Sequence, residues 1–443
     1  MNTETEPPVA RMRGYLQRIA TGPEMSKPLS RAAARDAMRL ILAREVDAVQ
    51  AGIFLIAMRM KRETDAENLG ALDALLEGVA ACAVDCDTLL DIADPFNGMA
   101  RGVPAAPFLG PALAACGLNA YAHGLRAVGP KYGVTHHMVL AAAGIPVALP
   151  PAEVAARIAN PRIGWGYVDQ ANYHPALHRL VDLRAQMVKR ACITTIEVAL
   201  GPLRAKRATH LLTGYVHKAY PPVYLQLARA AGYAGALIVR GVEGGCIPSL
   251  SQASRFFACG GGGGDSDGDG TGDRDHAGDG AGDGDGAGGD HAGDGAGDGD
   301  GDSDGTGAGE TAPPAPSPTP ISPQQVGIAQ SARAIPIPAE LAVETPVYPG
   351  SEQDGIAAPV DCRRVAEYAA ELGERALAGD TGKTTGGDAT TVATGQMRDS
   401  VIYGGALCLL HCGRAATLPD AAAQIRRALD SGDARRRFEA ARE

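Results

Sequence analysis

The spacing of apolar residues predicts helices near the start of the chain. Residues 29–83 contain three segments in which apolar side chains recur every three or four positions, the pattern of one helix face. Ser30 is a candidate N-cap for the first helix, and Thr64 followed by Glu67 forms a capping-box pattern before the third. We therefore predict a small helical domain over 28–84, which part of the chain after residue 150 completes. Residues 1–27 are expected to be disordered or irregular.

Beyond residue 84, short apolar runs alternate with helical patterns. The runs at 89–93, 211–216 and 236–239 are typical of strands, and 175–188 and 223–230 of helices. This alternation predicts an α/β domain. In open α/β sheets, ligands bind outside the carboxyl ends of the strands. The Gly-containing turns at 94–98 and 241–245 are therefore candidate parts of a site.

Residues 259–325 interrupt this alternation. An eleven-residue Gly/Asp unit starts at His276 and again at His291. A calcium β-roll needs a large aliphatic residue in each turn, and residues 260–309 contain no Val, Ile or Leu. We expect a disordered insert, first Gly/Asp-rich and then Pro-rich. Helical patterns resume at 362–377, 398–415 and 420–438, so the α/β domain is predicted to comprise 85–258 and 326–443.

The insert also distorts the net charge of −10. Residues 261–310 hold fifteen acidic residues and one arginine, which leaves 40 basic and 36 acidic residues elsewhere. A mildly basic remainder is compatible with phosphate ligands or nucleic acid. Nine cysteines without regular spacing and no secretory segment favour a reduced compartment, the cytoplasm or alternatively a plastid. No run approaches the roughly 20 apolar residues of a membrane span, so we expect a soluble protein.

Candidate chemistry concentrates in residues 122–137. Gly124, Gly129, Pro130 and Gly133 interrupt the backbone there, and glycines let main-chain N–H groups approach an anion closely. The cations and histidines of the segment are His123, Arg126, Lys131, His136 and His137. An anion site and an ordinary basic surface loop both fit this composition. The consecutive His136 and His137 are expected to point in different directions, which argues against a shared metal.

A second candidate is the pair Arg179 and Arg184. They are five residues apart in a predicted helix and do not share one face, so one of them should point inward. A buried arginine needs an anionic partner. That partner is either a carboxylate or phosphate ligand, or an internal acid such as Asp182 or Glu197.

Two further patterns carry no chemistry. Residues 379–384 imitate a nucleotide-triphosphate loop, but the spacing of the glycines fails, so we predict a flexible loop. Cys82 with Cys86, and Cys408 with Cys412, have helical spacing. Packed apolar cysteines explain these pairs better than a metal site, which usually needs four converging ligands.

Taken in order, these segments resemble the anthranilate phosphoribosyltransferase family, which is glycosyltransferase family 3. The matching pieces are Leu29-Ser30-Arg31, the run M-K-R-E-T-D-A-E-N-L-G at 60–70, His123-Gly124, His174-Pro175-Ala176-Leu177, Leu183-Arg184, Leu200-Gly201-Pro202-Leu203, Val239-Arg240-Gly241, Arg398-Asp399-Ser400-Val401 and Asp430-Ser431-Gly432. The resemblance implies a small N-terminal helical domain docked on a larger α/β domain with a mixed central sheet. It also implies a homodimer through the helical domain. The family's reaction transfers phosphoribose from phosphoribosyl pyrophosphate to anthranilate, a small aromatic acceptor, with Mg²⁺ bound.

Position by position, the resemblance implies a site with altered motifs. The family's glycine-rich diphosphate turn is replaced by D-P-F-N-G at 94–98, and its Lys-His-Gly-Asn-Arg loop by A-H-G-L-R at 122–126. The implied catalytic residues are His123, Arg126 and Lys131; the substrate-binding residues are Asp94, Asn97, Gly98, Gly124, His174 and Arg184; the magnesium ligands are Glu243 and Asp94. Arg126 and Lys131 would neutralise phosphate, and Arg184 would hold an acceptor carboxylate. The alternative function is a catalytically lapsed member that binds nucleic acid. The excess of about four positive charges outside the insert and the arginine-dense tail at 426–442 motivate this alternative. A solvated helix face is the simpler explanation of the tail.

Overall fold

The computed structural model describes residues 6–22, 24–261, 316–342, 360–382 and 388–443, which belong to one compact unit. Most of the predicted insert lies outside these residues. So do the last two positions of the 379–384 loop.

Four helices form the N-terminal layer. They are α1 (Pro8–Ile19), α2 (Arg31–Leu42), α3 (Ala48–Met60) and α4 (Asp65–Glu77). Helix α1 corrects the prediction of an irregular N-terminus. Pro8 suits the first turn of a helix, and Met12 and Ile19 are buried. The hydroxyl of Tyr15 donates to Asp36 of α2 over 2.7 Å, which helps to attach α1 to the layer.

The predicted helix starts are present. The Ser30 side chain accepts the N–H of Ala33, and Thr64 and Glu67 form a complete capping box. Glu67 also accepts the N–H of Leu29 over 2.7 Å, so the cap of α4 holds the segment that leads into α2.

A mixed sheet lies at the centre, as predicted, and it has seven strands. Its strand order is β4-β3-β2-β6-β7-β8-β9; the first five strands are parallel and β8 and β9 are antiparallel. The strands are β2 (Thr88–Ala93), β3 (Asn119–Gly124), β4 (Trp165–Asp169), β6 (Ala208–Gly214), β7 (Gly235–Val239), β8 (Ser254–Cys259) and β9 (Thr319–Ile321), while β1 (Cys82–Ala83) and β5 (Leu203–Arg204) pair separately. Because Cys82 is in β1, its predicted helical relation to Cys86 is wrong.

Helices cover both faces of the sheet. They are α5 (Leu109–Ala115), α6 (His136–Ala142), α7 (Pro151–Ala159), α8 (Gln170–Tyr173), α9 (Pro175–His178), α10 (Val181–Met187), α11 (Ile193–Ile196), α12 (Tyr220–Ala230), α13 (Cys362–Leu377), α14 (Ala389–His411), α15 (Leu418–Asp430) and α16 (Asp433–Ala440). One core includes residues of α5, α6 and α13–α16, and the other includes α1–α4, α7, α11 and α12. Helix α10 packs on α3 and α11 on α4, so the segment after residue 150 extends the helical layer. No helix in the described ranges is long and apolar enough to cross a membrane.

Candidate functional site

The carboxyl ends of the parallel strands bring three loops together. Asp94 directly follows the last residue of β2 and is buried beside the loop that follows β7. Its Oδ1 accepts the N–H of Cys246 over 2.8 Å, and its Oδ2 lies 3.1 Å from Nε2 of His136 at the start of α6. The candidate turns at 94–98 and 241–245 therefore lie together, as the rule for open sheets predicts.

His136 and His137 diverge, as expected for consecutive residues. Whereas His136 contacts Asp94, Nδ1 of His137 lies 2.8 Å from Oδ2 of Asp169 at the end of β4. Burial raises the pKa of Asp94, but the hydrogen bond and charge of His136 and the N–H of Cys246 outweigh it, so the pKa is lower than usual. Asp94 is an ionised group that already has partners.

The turn after β2 and the loop after β3 are joined through their backbones. Gly98 has a φ of +73°, and a Cβ there would lie 2.4 Å from the carbonyl carbon of Gly133. The N–H of Gly133 donates to the carbonyl of Asn97 over 2.8 Å. Gly98 is therefore required by the backbone conformation and the close approach. The structure places Asn97 and Gly98 beside Asp94, where the sequence predicted substrate-binding residues.

Glu243 and Lys131 meet at this junction. One carboxylate oxygen of Glu243 accepts the N–H of Arg101 over 2.6 Å, and the other accepts the N–H of Ala100 over 3.1 Å. The second oxygen also forms an ion pair with the ammonium of Lys131. Burial lowers the pKa of Lys131 although Glu243 opposes the shift, and the positive charges of Arg190 and Arg101 lower it further. Lys131 thus lies in a positive environment beside two main-chain donors.

The predicted magnesium pair does not fit this arrangement. Both oxygens of Asp94 and both oxygens of Glu243 already have donors. Within the described ranges, no group of three or more His, Cys, Asp or Glu side chains is placed to hold a metal ion. We therefore derive no chemical step through a metal held by these carboxylates.

His123 lies beneath the strand ends and does not line the cleft. Its side chain is fully buried, with Nε2 3.2 Å from Oδ1 of Asp91 and Nδ1 3.0 Å from the hydroxyl of Tyr173. The other Asp91 oxygen accepts the hydroxyls of Tyr121 and Tyr233. Burial and the Asp91 charge raise the pKa of both phenols well above the usual value. The geometry gives His123 a role in this buried network, not direct contact with a ligand.

The remaining residues of the predicted loop differ in exposure. Gly124 is the last residue of β3, and a Cβ there would make only ordinary contacts with Phe96 and Tyr167. The Arg126 side chain is exposed, and its carbonyl accepts the hydroxyl of Thr135. Arg126 therefore reaches solvent, whereas Lys131 is the cation held inside the loop junction.

Arg184 and His174 are engaged within the fold. The two terminal nitrogens of Arg184 each donate to an oxygen of Glu197 over 2.8 Å, and both side chains are almost inaccessible. This is the internal alternative for Arg184 and corrects its predicted role as the acceptor clamp. Nδ1 of His174 accepts the N–H of Leu177 and caps α9, and burial lowers the pKa of this imidazole. His174 is therefore a buried helix cap.

Sequence reasoning missed Arg101 and Arg190, the two cations whose charges act on Lys131. Arg101 follows the turn at 94–98 by three residues, which was the available signal. A small cavity of about 30 Å³ lies beside Asp94, and Cys246, Arg333 and Ser400 also line it. The segment after the insert covers this cavity, since the carbonyl of Ile335 accepts the N–H of Val103.

Arginines near the C-terminus have partners inside the protein. Arg435 and Arg436 pair with neighbouring acids of α16, and Arg442 pairs with Glu374 of α13. Arg437 donates to the carbonyls of Pro161 and Ile163. These contacts favour a structural role for the tail over a nucleic-acid-binding surface.

Two family models match the chain. The helical bundle domain of a glycosyl transferase family matches residues 13–78, and the a/b domain of a glycosyl transferase family matches residues 106–249.

Similar proteins agree with these matches. An uncharacterised protein of Aquifex aeolicus is 30% identical over 50% of this chain and 65% of its own length. The anthranilate phosphoribosyltransferase of Halobacterium salinarum is 29% identical over 52% of this chain and 65% of its own length. The matches thus span just under two thirds of these relatives.

Solved structures match over nearly the whole chain. The anthranilate phosphoribosyltransferase of Thermus thermophilus has a TM-score of 0.63 at 17% identity, with 98% of both chains covered. That of Saccharomyces cerevisiae in complex with PRPP and Mg has a TM-score of 0.64 at 14% identity, with 97% of this chain and 96% of that chain covered. At these identities the likeness shows the fold.

Proposed function

We propose, on the premise that the chain belongs to the anthranilate phosphoribosyltransferase-like family of glycosyl transferases, that it transfers phosphoribose from phosphoribosyl pyrophosphate to an aromatic amine. Anthranilate is the first acceptor to test, because named relatives are anthranilate phosphoribosyltransferases. Magnesium enters with the donor, as in the yeast complex with PRPP and Mg.

One observation supports the proposal most strongly. Lys131 and the successive N–H groups of Ala100 and Arg101 converge at the carboxyl ends of the strands, where open α/β sheets bind ligands. Successive N–H groups with an adjacent cation form an anion site. Arg190 adds a further positive charge near Lys131. This is the chemistry that a diphosphate requires.

The transfer breaks the bond between the anomeric carbon and the diphosphate oxygen and forms a bond to the acceptor nitrogen, which releases one proton to solvent. Charge accumulates on the leaving diphosphate as that bond breaks, so donors fixed around it lower the barrier. Lys131 and the two N–H groups would neutralise the leaving group, and Arg126 at the loop surface would meet the donor as it enters. The rest of the rate enhancement comes from holding the donor and the acceptor in the geometry of the reaction.

Acceptor binding requires cations other than Arg184, because Glu197 occupies its guanidinium. Arg190 is exposed and its charge acts on both Lys131 and Tyr224. Its charge therefore acts both at the proposed diphosphate site and at Tyr224 of α12. We assign the acceptor carboxylate to Arg190.

The test follows anthranilate fluorescence in the presence of phosphoribosyl pyrophosphate and Mg²⁺. The account predicts loss of fluorescence with the natural chain and a loss of rate of about 100-fold or more in Lys131→Met, as expected when a donor to the leaving group is removed. The matched control is Lys27→Met, which removes an exposed cation from the segment between α1 and α2. No reaction at high enzyme concentration with anthranilate or related amines would refute the proposal.

We also propose a homodimer through the helical domain. The outer face of α3 exposes Val49, Ile53 and Met60, with relative exposures of 70%, 42% and 76%. Apolar side chains grouped on one exposed helix face mark an interaction surface more often than scattered ones do.

A further inference from the structure

The side chain of Glu243 occupies a site built for an anion. Each of its oxygens accepts one of two successive main-chain N–H groups, those of Ala100 and Arg101, at 3.1 and 2.6 Å. The ammonium of Lys131 lies against one of the same oxygens. The side chain is 9% exposed. A carboxylate with this set of donors imitates two oxygens of a phosphate group.

The backbone at Glu243 is strained. Its φ and ψ are +52° and +23°, the left-handed region that residues with a Cβ adopt at a cost of about 1 kcal/mol or more. The tight turn around it depends on glycines, since a Cβ on Gly241 would lie 1.7 Å from the carbonyl oxygen of Gly245. The donors at Ala100, Arg101 and Lys131 offset this cost while the carboxylate is in place.

The surrounding charge favours a more highly charged anion than one carboxylate. Arg101 and Arg190 both act on the Lys131 ammonium. A diphosphate brings more negative charge and more acceptor oxygens to the same donors, so it gains more from this field than Glu243 does.

We infer that an anion cradle is formed by the N–H groups of Ala100 and Arg101 and the ammonium of Lys131. Glu243 occupies this cradle as a built-in competitor. A phosphate or diphosphate group enters the cradle by displacing Glu243. The inference rests on the proposed function for the place of the ligand, but its test needs no transfer reaction. It also reverses the role that the family resemblance gave to Glu243. Glu243 is the group that a ligand replaces, not a magnesium ligand.

The test is a calorimetric titration of inorganic diphosphate into the full chain at about 100 mM salt, with EDTA and no magnesium. While Glu243 occupies the cradle, diphosphate cannot bind there. The apparent affinity for diphosphate is therefore the intrinsic affinity multiplied by the fraction of molecules in which the cradle is open. Glu243→Gln keeps the size of the side chain and removes the charge that holds Lys131. It is expected to bind diphosphate about tenfold more tightly or better, the effect of one charge-assisted contact.

Asp182→Asn is the matched control. Asp182 is an exposed carboxylate outside the cradle, and its charge acts on Tyr132, the neighbour of Lys131. It changes the net charge by the same amount near the same loop. An affinity within about twofold of the natural chain is expected, since exposed charges are largely screened.

Glu243→Asp provides a second variant in which the charge remains but the carboxylate is withdrawn by one methylene. It is expected to bind diphosphate more tightly than the natural chain. Circular dichroism verifies that each variant is folded.

Equal or weaker diphosphate binding by both Glu243 variants, or no binding by any chain, would overturn the inference. If Glu243→Gln binds diphosphate more weakly than the natural chain, and only when magnesium is present, the role of Glu243 as a metal ligand would be restored. If anthranilate transfer fails while Glu243→Gln still binds diphosphate more tightly, the proposed function fails and the cradle stands.

Discussion

Replacing Arg184 with Met should destabilise the protein by about 3–5 kcal/mol, the usual cost of removing one partner of a buried ion pair. Arg184 and Glu197 have side-chain exposures of 2% and 0% and share two hydrogen bonds of 2.8 Å. After the substitution, Glu197 keeps the amide of Gln170 at 3.2 Å as its side-chain donor. The penalty arises because a buried carboxylate loses the charge that balanced it.

Urea denaturation followed by Trp165 fluorescence measures this loss, because Trp165 is the only tryptophan of the chain and is buried. The double variant Arg184→Met with Glu197→Gln should recover most of the stability, since no charge remains uncompensated. Arg184→Lys keeps the charge but not the two-pronged geometry, so its loss should be intermediate. An unchanged urea midpoint in Arg184→Met, with weaker binding of aromatic acids, would contradict the structural role and return Arg184 to the acceptor site.

Two further predictions concern pH and assembly. Burial and the charge of His210 lower the pKa of His411 to about 3, so between about pH 6.5 and pH 3 the unfolded chain binds a proton that the folded chain does not. The free energy of unfolding should therefore be highest above pH 6.5 and should fall below that pH by up to about 1.4 kcal/mol per pH unit. His411→Gln should reduce this slope in urea titrations. Equal slopes in both proteins would contradict the lowered pKa of His411. Ile53→Glu on the exposed face of α3 should convert a dimer to a monomer in sedimentation equilibrium, whereas a dimer that survives would place the interface elsewhere.

Local features of the fold could be predicted from the sequence because their causes lie within a few residues. The Ser30 cap and the Thr64–Glu67 capping box each link residues that are three positions apart. Helix α1 was not predicted, and its apolar signal is weak because only Met12 and Ile19 are buried along it. Cys82 and Cys86 were given a helical relation because a spacing of four residues alone does not distinguish a helix from an extended segment and a turn.

The candidate site could be located but not assembled from the sequence. The turn at 94–98 and the rule for strand ends indicated its place. The contact of Glu243 with Ala100 and Arg101 joins residues more than 140 positions apart, and no local pattern encodes it. For Arg184 the sequence supplied both alternatives, a ligand or an internal acid. Only the packing of α10 against Glu197 decides between them.

The most direct test of the central claim is a calorimetric titration of phosphoribosyl pyrophosphate with Mg²⁺ into the natural chain and Lys131→Met. We predict saturable binding with one site per chain and a loss of affinity of about tenfold or more in the variant, because the partly buried cation of the anion cradle is removed. No binding to the natural chain, or equal affinity in both proteins, would contradict the claim that the cleft at the strand ends is a phosphoribosyl pyrophosphate site.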